Sequence, residues 1–162
     1  MNASTFESST DLARALAAAP QAVPASLFGL PGEPPHERVL LAADESTGLR
    51  AILAVHHTGR GPAFGGCRLW QYPHELAALH DALRLSQGMS LKNALADLPF
   101  GGGKAVILRP PGDFDRAALF AAFGRAVQSL DGLSITAEDV ATTTADMRVV
   151  RARTLTGEAV EV

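Results

Sequence analysis

The sequence predicts a single α/β domain in which helices lie on both sides of a mixed β-sheet. Three observations predict this fold class. Two short apolar runs lie close together early in the chain, apolar runs alternate with helical segments after them, and glycine and proline separate the segments. Strands joined by a tight turn pair antiparallel, whereas strands joined through a helix pair parallel, so the sheet should be mixed.

The N-terminal region, residues 1–35, is expected to contain one helix and a proline-rich loop. Thr10 and Asp11 suit the N-cap of a short helix that continues to Ala19. Four prolines between positions 24 and 35 then exclude a continuous helix. A domain over residues 36–153 follows, and residues 154–162 form a divergent tail.

The first strands are predicted from apolar runs that contain β-branched residues. Residues 39–43 and 49–57 form two such runs, and the turn-forming residues 44–48 separate them, which indicates a β-hairpin. After a glycine-rich stretch, residues 67–72 are expected to form a third strand.

The remaining elements alternate between helix and strand. Residues 73–97 predict a long helix with Pro73 in its first turn and a bend or break at Gly88, and residues 99–103 should end it. The later segments are a buried strand at 104–108, a helix capped by Asp113 or Asp115 that runs to Leu130, a strand at 134–137 and a helix at 144–151.

Composition and charge exclude several classes of function. A formal net charge of −3 argues against a nucleic-acid-binding protein, which usually presents a basic surface. No apolar stretch is long enough for a transmembrane helix, and the N-terminus does not resemble a signal peptide. One cysteine, Cys67, cannot form an internal disulfide, which fits a cytoplasmic protein.

Three segments place glycines beside charged residues and carry the candidate chemistry. They are GPAFGGCR at 61–68, MSLKNALADLPFGGGK at 89–104 and ITAEDVATTTADM at 135–147. Lys104 follows three glycines, Lys92 lies one helical turn after Met89, and Asp139 follows a predicted strand, where α/β sheets usually carry their sites. One lysine can bind a carboxylate, and a buried one beside a like charge can exchange protons, so the set suits amino or carbonyl chemistry.

Each of these residues also has an ordinary structural interpretation. A single lysine is usually a solvated surface residue, Gly101–Gly103 can be a simple turn, and Asp139 can be a helix N-cap. A phosphate-binding loop at PFGGGKA is disfavoured, because Ala105 replaces the required Ser or Thr. Metal binding is also disfavoured, since the adjacent His56 and His57 would face opposite sides of a strand.

The combination of motifs is more specific than any one of them. GPAFGGCR, MSLKNA, LPFGGGKAVI and TAEDVATTTADM together resemble the N-terminal substrate-binding and dimerisation domain of the Glu/Leu/Phe/Val amino-acid dehydrogenases. The resemblance covers most of residues 36–153 and is closest to the leucine, valine and phenylalanine branch. It implies oxidative deamination of an apolar L-amino acid to a 2-oxo acid with NAD, in a homo-oligomeric enzyme.

The resemblance also implies a role for each matching residue. Lys92 would bind the substrate α-carboxylate, Lys104 would activate the hydrolytic water, and Asp139 would carry protons to and from the substrate nitrogen. Gly65 and Gly66 would let the backbone approach the amino acid.

Two further residues would shape the side-chain pocket. Met89 would line it. Phe64 stands where glutamate-specific relatives carry a lysine for the second carboxylate. Because burying an unpaired carboxylate is costly, an apolar substrate is expected.

The sequence also departs from the family pattern. It contains no G-x-G-x-x-G fingerprint of a Rossmann nucleotide-binding domain, and residues 154–162 do not resemble the family. Ala141 replaces a glycine that is common in relatives. These features predict a substrate-binding half that is inactive alone, from a truncated or frameshifted gene. The alternative is a non-catalytic dimerisation or assembly module.

Overall fold

The architecture is a six-stranded sheet with helices on both sides. The structure, a computed structural model, describes residues 27–30, 32–154 and 159–160. The helix predicted at residues 10–19 lies outside these ranges. The strands are β1 (Arg38–Asp44), β2 (Leu49–His57), β3 (Ala63–Trp70), β4 (Gly101–Leu108), β5 (Ser134–Glu138) and β6 (Ala159–Val160). The helices of the described part are α1 (Glu75–Leu95), α2 (Arg116–Gln128) and α3 (Thr144–Arg151).

The strand order is β1-β2-β4-β3-β5-β6, and the sheet is mixed as predicted. β1 and β2 form the expected antiparallel hairpin, and β2 also pairs antiparallel with β4. β4, β3, β5 and β6 are parallel to one another. Strand β6, which lies within residues 154–162, pairs Ala159 with Thr136 of β5.

Two separate apolar cores cover the two sides of the sheet. On one side, α1 packs through Ala78, Ala82 and Leu83 against Val106 and its neighbours. On the other side, α2 and α3 bury a larger core that includes Phe120, Phe123 and Met147. Because successive strand residues face opposite sides, β2 and β4 each contribute buried residues to both cores. The predicted arrangement of helices on both sides of one sheet is therefore confirmed.

Helix α1 differs from its prediction at its start and in its middle. It begins at Glu75, with His74 as the N-cap accepting a hydrogen bond from the backbone N–H of Ala77, so Pro73 lies before the cap. The helix continues through Gly88 without a break. A Cβ at Gly88 would have nothing within 4 Å, so tertiary packing does not demand glycine there.

The three glycines before Lys104 are the first residues of β4, so this strand begins three residues before its predicted start at 104, and the alternative interpretation of the glycines as a simple turn is wrong. All eight residues of β4 are buried. A Cβ on Gly101 would collide with the carbonyl oxygen of His57 on β2, and one on Gly102 would collide with Ser90 of α1. The strand begins with glycines because neighbouring backbone lies too close for side chains.

Smaller differences concern the ends of the elements. β3 begins at Ala63, four residues before its predicted start, and α2 ends at Gln128 rather than Leu130. Asp115 is the residue that caps α2. Helix α3 has the predicted limits, and Thr143 forms a capping box with Asp146 at its start. Among the described residues, no helix is both long and apolar enough to cross a bilayer.

The glycine contacts predict opposite effects of two alanine substitutions. Gly102→Ala should destabilise the domain by about 1–3 kcal/mol, the usual cost of overpacking, because the new methyl group overlaps Ser86 and Ser90. Gly88→Ala should stabilise it by up to about 1 kcal/mol, because alanine favours helix and meets nothing. Urea denaturation of both variants measures this difference. Equal effects would contradict the packing role assigned to Gly102.

Candidate functional site

The candidate site lies on the side of the sheet that α1 covers. Val106 of β4 packs against α1, and Lys104, two residues earlier, faces the same side. Arg68 of β3 lies beside Val106 in the parallel register, so it also faces this side. By the same alternation, Phe64 and Gly66 of β3 belong to this surface.

Lys104 and Asp139 form the central contact. The Lys104 Nζ donates a hydrogen bond of 2.6 Å to Oδ2 of Asp139, across 35 positions of sequence. Lys104 is only 7% exposed, whereas the Asp139 side chain is half-buried. Burial opposes ionisation of Asp139, but the hydrogen bond and charge of Lys104, the Val140 backbone and the Arg68 charge outweigh it and hold the Asp139 pKa below its ordinary value.

Gly66 makes room for this pair. A Cβ at Gly66 would lie 2.6 Å from the Cβ of Asp139 and 3.2 Å from the Lys104 Nζ. The Gly65 contact is different, because a Cβ there would overlap the carbonyl of Gly103 on the neighbouring strand. Gly66 therefore allows the charged pair to approach β3, while Gly65 allows β3 to approach β4.

Arg68 is a residue of the site that sequence reasoning did not single out. Its Nε lies 3.2 Å from Oδ2 of Asp139, and its Nη1 lies 2.8 Å from Oδ2 of Asp81 on α1. Arg68 ends the GPAFGGCR motif and lies two residues after Gly66. Strand alternation from Gly66 was the signal that could have placed it on the site surface.

Lys92 and Met89 are placed on α1, which packs over β4. Lys92 is exposed, and its ammonium forms no hydrogen bond or ion pair with another described residue. Met89 is half-buried. The neighbouring Asn93 is buried and donates to the carbonyls of Gly101 at 2.6 Å and Phe64 at 3.4 Å, which ties this part of α1 to both strands.

Phe64 lies at the start of the site surface and stacks on Phe100. The two ring centroids are 5.2 Å apart with an interplanar angle of 30°. This places an aromatic, apolar surface beside Gly65 and Gly66, in the position where the sequence predicted a determinant of side-chain preference.

The loop that carries Asp139 is tied to β3. The Asp139 N–H donates to Oγ1 of Thr142 at 2.8 Å, and the Thr142 hydroxyl lies 2.8 Å from the carbonyl of Cys67. Ala141 has φ of 58°, in the left-handed region where glycine is favoured, and Arg116 donates to its carbonyl. Thr143 caps α3, so the interpretation of Asp139 as that helix's N-cap was wrong.

The histidines and the cysteine are engaged elsewhere. Nδ1 of His56 lies 2.7 Å from the Ser90 hydroxyl, and Nδ1 of His57 lies 2.8 Å from Oε1 of Glu37. No group of three His, Cys, Asp or Glu side chains suited to a metal occurs among the described residues. Cys67 is fully buried in the larger core, and burial raises the pKa of its thiol.

An open depression of about 570 Å³ lies beyond the Asp139 loop. Trp70, Tyr72, Arg109 and Ala141 contribute to its lining, together with Leu69, Gln71 and Pro73. Lys104 and Asp139 do not line this depression. The charged pair and the depression are therefore separate features of the same sheet edge.

Comparison with known proteins identifies a family. The family model described as the Glu/Leu/Phe/Val dehydrogenase dimerisation domain matches residues 36–156. A leucine dehydrogenase of Geobacillus stearothermophilus is 53% identical over 115 residues, which are 71% of this chain and 31% of that protein. A valine dehydrogenase of Streptomyces virginiae is 51% identical over 115 residues, covering 71% and 32%. The chain spans about a third of the length of the curated relatives it matches.

Solved structures share the fold. The L-tryptophan dehydrogenase of Nostoc punctiforme has a TM-score of 0.70 and 46% identity, over 74% of this chain and 35% of that one. A hetero-hexameric glutamate dehydrogenase of Thermus thermophilus, in a leucine-bound form, has a TM-score of 0.64 and 23% identity, over 76% and 33%. The second likeness supports the fold alone.

The charged pair predicts how Asp139 titrates. Replacing Lys104 by methionine keeps an unbranched apolar chain and removes the ammonium, so the Asp139 pKa should rise. The ¹³Cγ chemical shift of Asp139 measures this in a pH titration of each variant. Arg125→Met, which removes a charge paired with Asp44 instead, should leave the titration unchanged.

Lys104→Met should also change how the free energy of unfolding depends on pH. A carboxyl with a depressed pKa in the folded state contributes stability above its unfolded pKa, and this is lost as pH falls through the folded value. Lys104→Met should therefore weaken the acid-side loss of stability. An unchanged acid-side slope in that variant would contradict the pairing.

Proposed function

The chain belongs to the Glu/Leu/Phe/Val dehydrogenase family through its dimerisation domain, and from this premise we propose that it supplies the amino-acid site of a dehydrogenase. The proposed reaction is oxidative deamination of an apolar L-amino acid to a 2-oxo acid and ammonia, with NAD as hydride acceptor. The observation that carries the proposal is the pairing of Lys104 with Asp139 over the bare backbone of Gly66.

The proposed site binds the substrate through opposite charges at its two ends. Lys92, whose ammonium has no described ionic partner, would bind the α-carboxylate, and the Asp139 carboxylate would accept a hydrogen bond from the α-ammonium. Gly66 lets Lys104 and Asp139 lie close against β3, and we place the α-carbon of the substrate beside this pair. Lys92 and Asp139 would then hold the α-carbon in a fixed orientation.

Proton transfer in the proposed reaction depends on Asp139 and Lys104. Because its pKa is held low, Asp139 is ionised near neutral pH and can take a proton from the α-ammonium. NAD, when bound, supplies the acceptor for the hydride that leaves the α-carbon. Once Asp139 carries that proton, the Lys104 ammonium has lost the charge of its partner and would release its own proton to solvent. As a neutral amine, Lys104 would then take a proton from the water that attacks the resulting imine, and Asp139 would return its proton to the departing nitrogen. The products are the 2-oxo acid and ammonia.

Preference for an apolar amino acid follows from Phe64. Its ring stacks on Phe100 and offers no positive charge to a second carboxylate. The three named proteins that are at least 46% identical to the chain are leucine, valine and tryptophan dehydrogenases, which fits an apolar or aromatic substrate. We assign Phe64 and Met89 to the side-chain pocket.

A second proposed property is self-association into a homo-oligomer. The matched family model describes a dimerisation domain. Strand β1 is an edge of the sheet, and Leu41 on it is 63% exposed. Leu27 and Leu76, also exposed, line an apolar groove of about 260 Å³ beside Leu41. An exposed apolar patch on an edge strand favours an interface between copies.

Cys67 and the family relationship favour a cytoplasmic enzyme.

Substrate binding tests the proposed function directly. Isothermal titration of the 162-residue chain with 4-methyl-2-oxopentanoate should show binding, whereas 2-oxoglutarate should bind more weakly because its second carboxylate lacks a partner at Phe64. Lys92→Met should weaken binding of the branched acid by about tenfold or more, the loss expected for a charge-assisted hydrogen bond. Arg125→Met is the control. Equal affinity for both acids would contradict the assigned specificity.

An assay of turnover tests whether these 162 residues are sufficient for hydride transfer to NAD. The 162 residues contain no G-x-G-x-x-G fingerprint, so the chain assayed by itself with L-leucine and NAD should form no NADH. Absorbance at 340 nm measures this. Robust NADH formation would overturn the prediction that the hydride acceptor requires other residues.

Association separates catalytic from purely structural roles. Light scattering should show an oligomer, and Leu41→Lys, which places a charge on the apolar edge, should shift it towards monomer. The matched control is Glu45→Lys, in the turn after β1. An oligomer without affinity for any 2-oxo acid would favour the assembly module over the enzyme. A monomer in the unaltered chain would contradict the association proposal.

A further inference from the structure

Arg68 connects the proposed catalytic carboxylate to helix α1. Its guanidinium contacts Asp139 through Nε and Asp81 through Nη1, so one planar group joins two carboxylates. The side chain of Arg68 is 22% exposed and that of Asp81 is 16% exposed. The bridge is therefore largely removed from solvent, unlike an ordinary surface ion pair.

Several hydrogen-bond donors hold the Asp81 carboxylate in place and ionised. Besides Arg68, its oxygens accept hydrogen bonds from the Tyr72 hydroxyl at 2.6 Å and from Arg84 at 3.0 Å. Burial opposes its ionisation, but these donors and charges hold the pKa of Asp81 below its ordinary value. Burial and the neighbouring Asp81 raise the pKa of Tyr72, so its hydroxyl remains a donor. Asp81 therefore holds the guanidinium from the side opposite Asp139.

Asp139 receives two different cations at the same oxygen. Lys104 and Arg68 both contact its Oδ2. In the proposed reaction Lys104 takes up and releases a proton, and its attraction for Asp139 changes at each transfer. Arg68 cannot follow such a change, because a guanidinium stays protonated throughout the physiological range. Its contact with Asp139 is therefore the constant one.

The bridge also reaches the helix that carries the proposed carboxylate-binding lysine. Asp81 and Lys92 are eleven residues apart on α1, close to three full turns, so they lie on the same side of the helix. Arg68 thus joins the loop that holds the proton carrier to the helix side that holds the substrate anchor.

We propose that Arg68 is a positioning residue that holds Asp139 in place while Lys104 changes its protonation state and that favours the ionised form of Asp139 at the start of each cycle, using Asp81 as its anchor. This inference rests on the proposed function for its catalytic meaning. The bridge itself is a property of the chain and can be measured without substrate.

The test is the ¹³Cγ titration of Asp139 in the full 162-residue chain. Arg68→Gln should move the Asp139 titration to higher pH, and the displacement should be larger when Lys104 is already methionine, because Arg68 is then the remaining cation. Arg68→Lys should recover part of the displacement, since it restores the charge but cannot span both carboxylates. Arg84→Gln, which removes the exposed arginine at Asp81, is the matched control and should leave Asp139 unchanged.

An Asp139 titration that is the same in the unaltered chain and in folded Arg68→Gln, in both Lys104 backgrounds, would overturn the proposal. Amide spectra establish that each variant is folded. Where Arg68→Gln does not fold, Arg68→Lys decides: a displaced titration supports the bridge, and an unchanged one overturns it. Binding of 4-methyl-2-oxopentanoate with an unchanged titration would leave the proposed function standing and reject the role of Arg68. A displaced titration without binding would do the reverse.

Discussion

A buried ammonium beside a half-buried carboxylate is the constraint on which the rest of the site depends. Removing charges from water is costly, and the cost is offset only when the partners meet at hydrogen-bond distance. Lys104 and Asp139 meet at 2.6 Å. This contact requires β3 to carry glycine at position 66 and requires the loop after β5 to be held by Thr142. Residues of β3, of β4 and of the loop after β5 thus all contribute to the ion pair between Lys104 and Asp139.

The layered fold explains how residues remote in sequence meet at this pair. Parallel pairing of β3 with both β4 and β5 places Gly66 between Lys104 and the end of β5. Helix α1 then closes the same side of the sheet, and Arg68 joins that helix to Asp139. The larger core under α2 and α3 lies on the opposite side and supports the sheet. The proposed chemistry therefore lies on the face of the smaller core, opposite the larger one.

Local signals predicted much of this architecture, and tertiary contacts decided the rest. Helix α3 was predictable because Thr143 and Asp146 form a capping box that local sequence encodes. The strand character of Gly101–Gly103 was not predictable locally, since glycine disfavours strands and only crowding by β2 and α1 explains it. The place of Arg68 in the site was not predicted, because its partner Asp139 is 71 positions away in the sequence. Lys92 was placed on α1, and its role stays a prediction.

The glycine start of β4 limits how this scaffold can be re-engineered. Position 101 lies close to β2, position 102 close to α1 and position 103 close to β3. A side chain at any of the three would therefore contact a neighbouring element. Laboratory evolution that randomises this stretch would place side chains at 101 and 102, where a Cβ collides with its neighbours. Diversity is better placed at Phe64 and Met89, which are only half-buried.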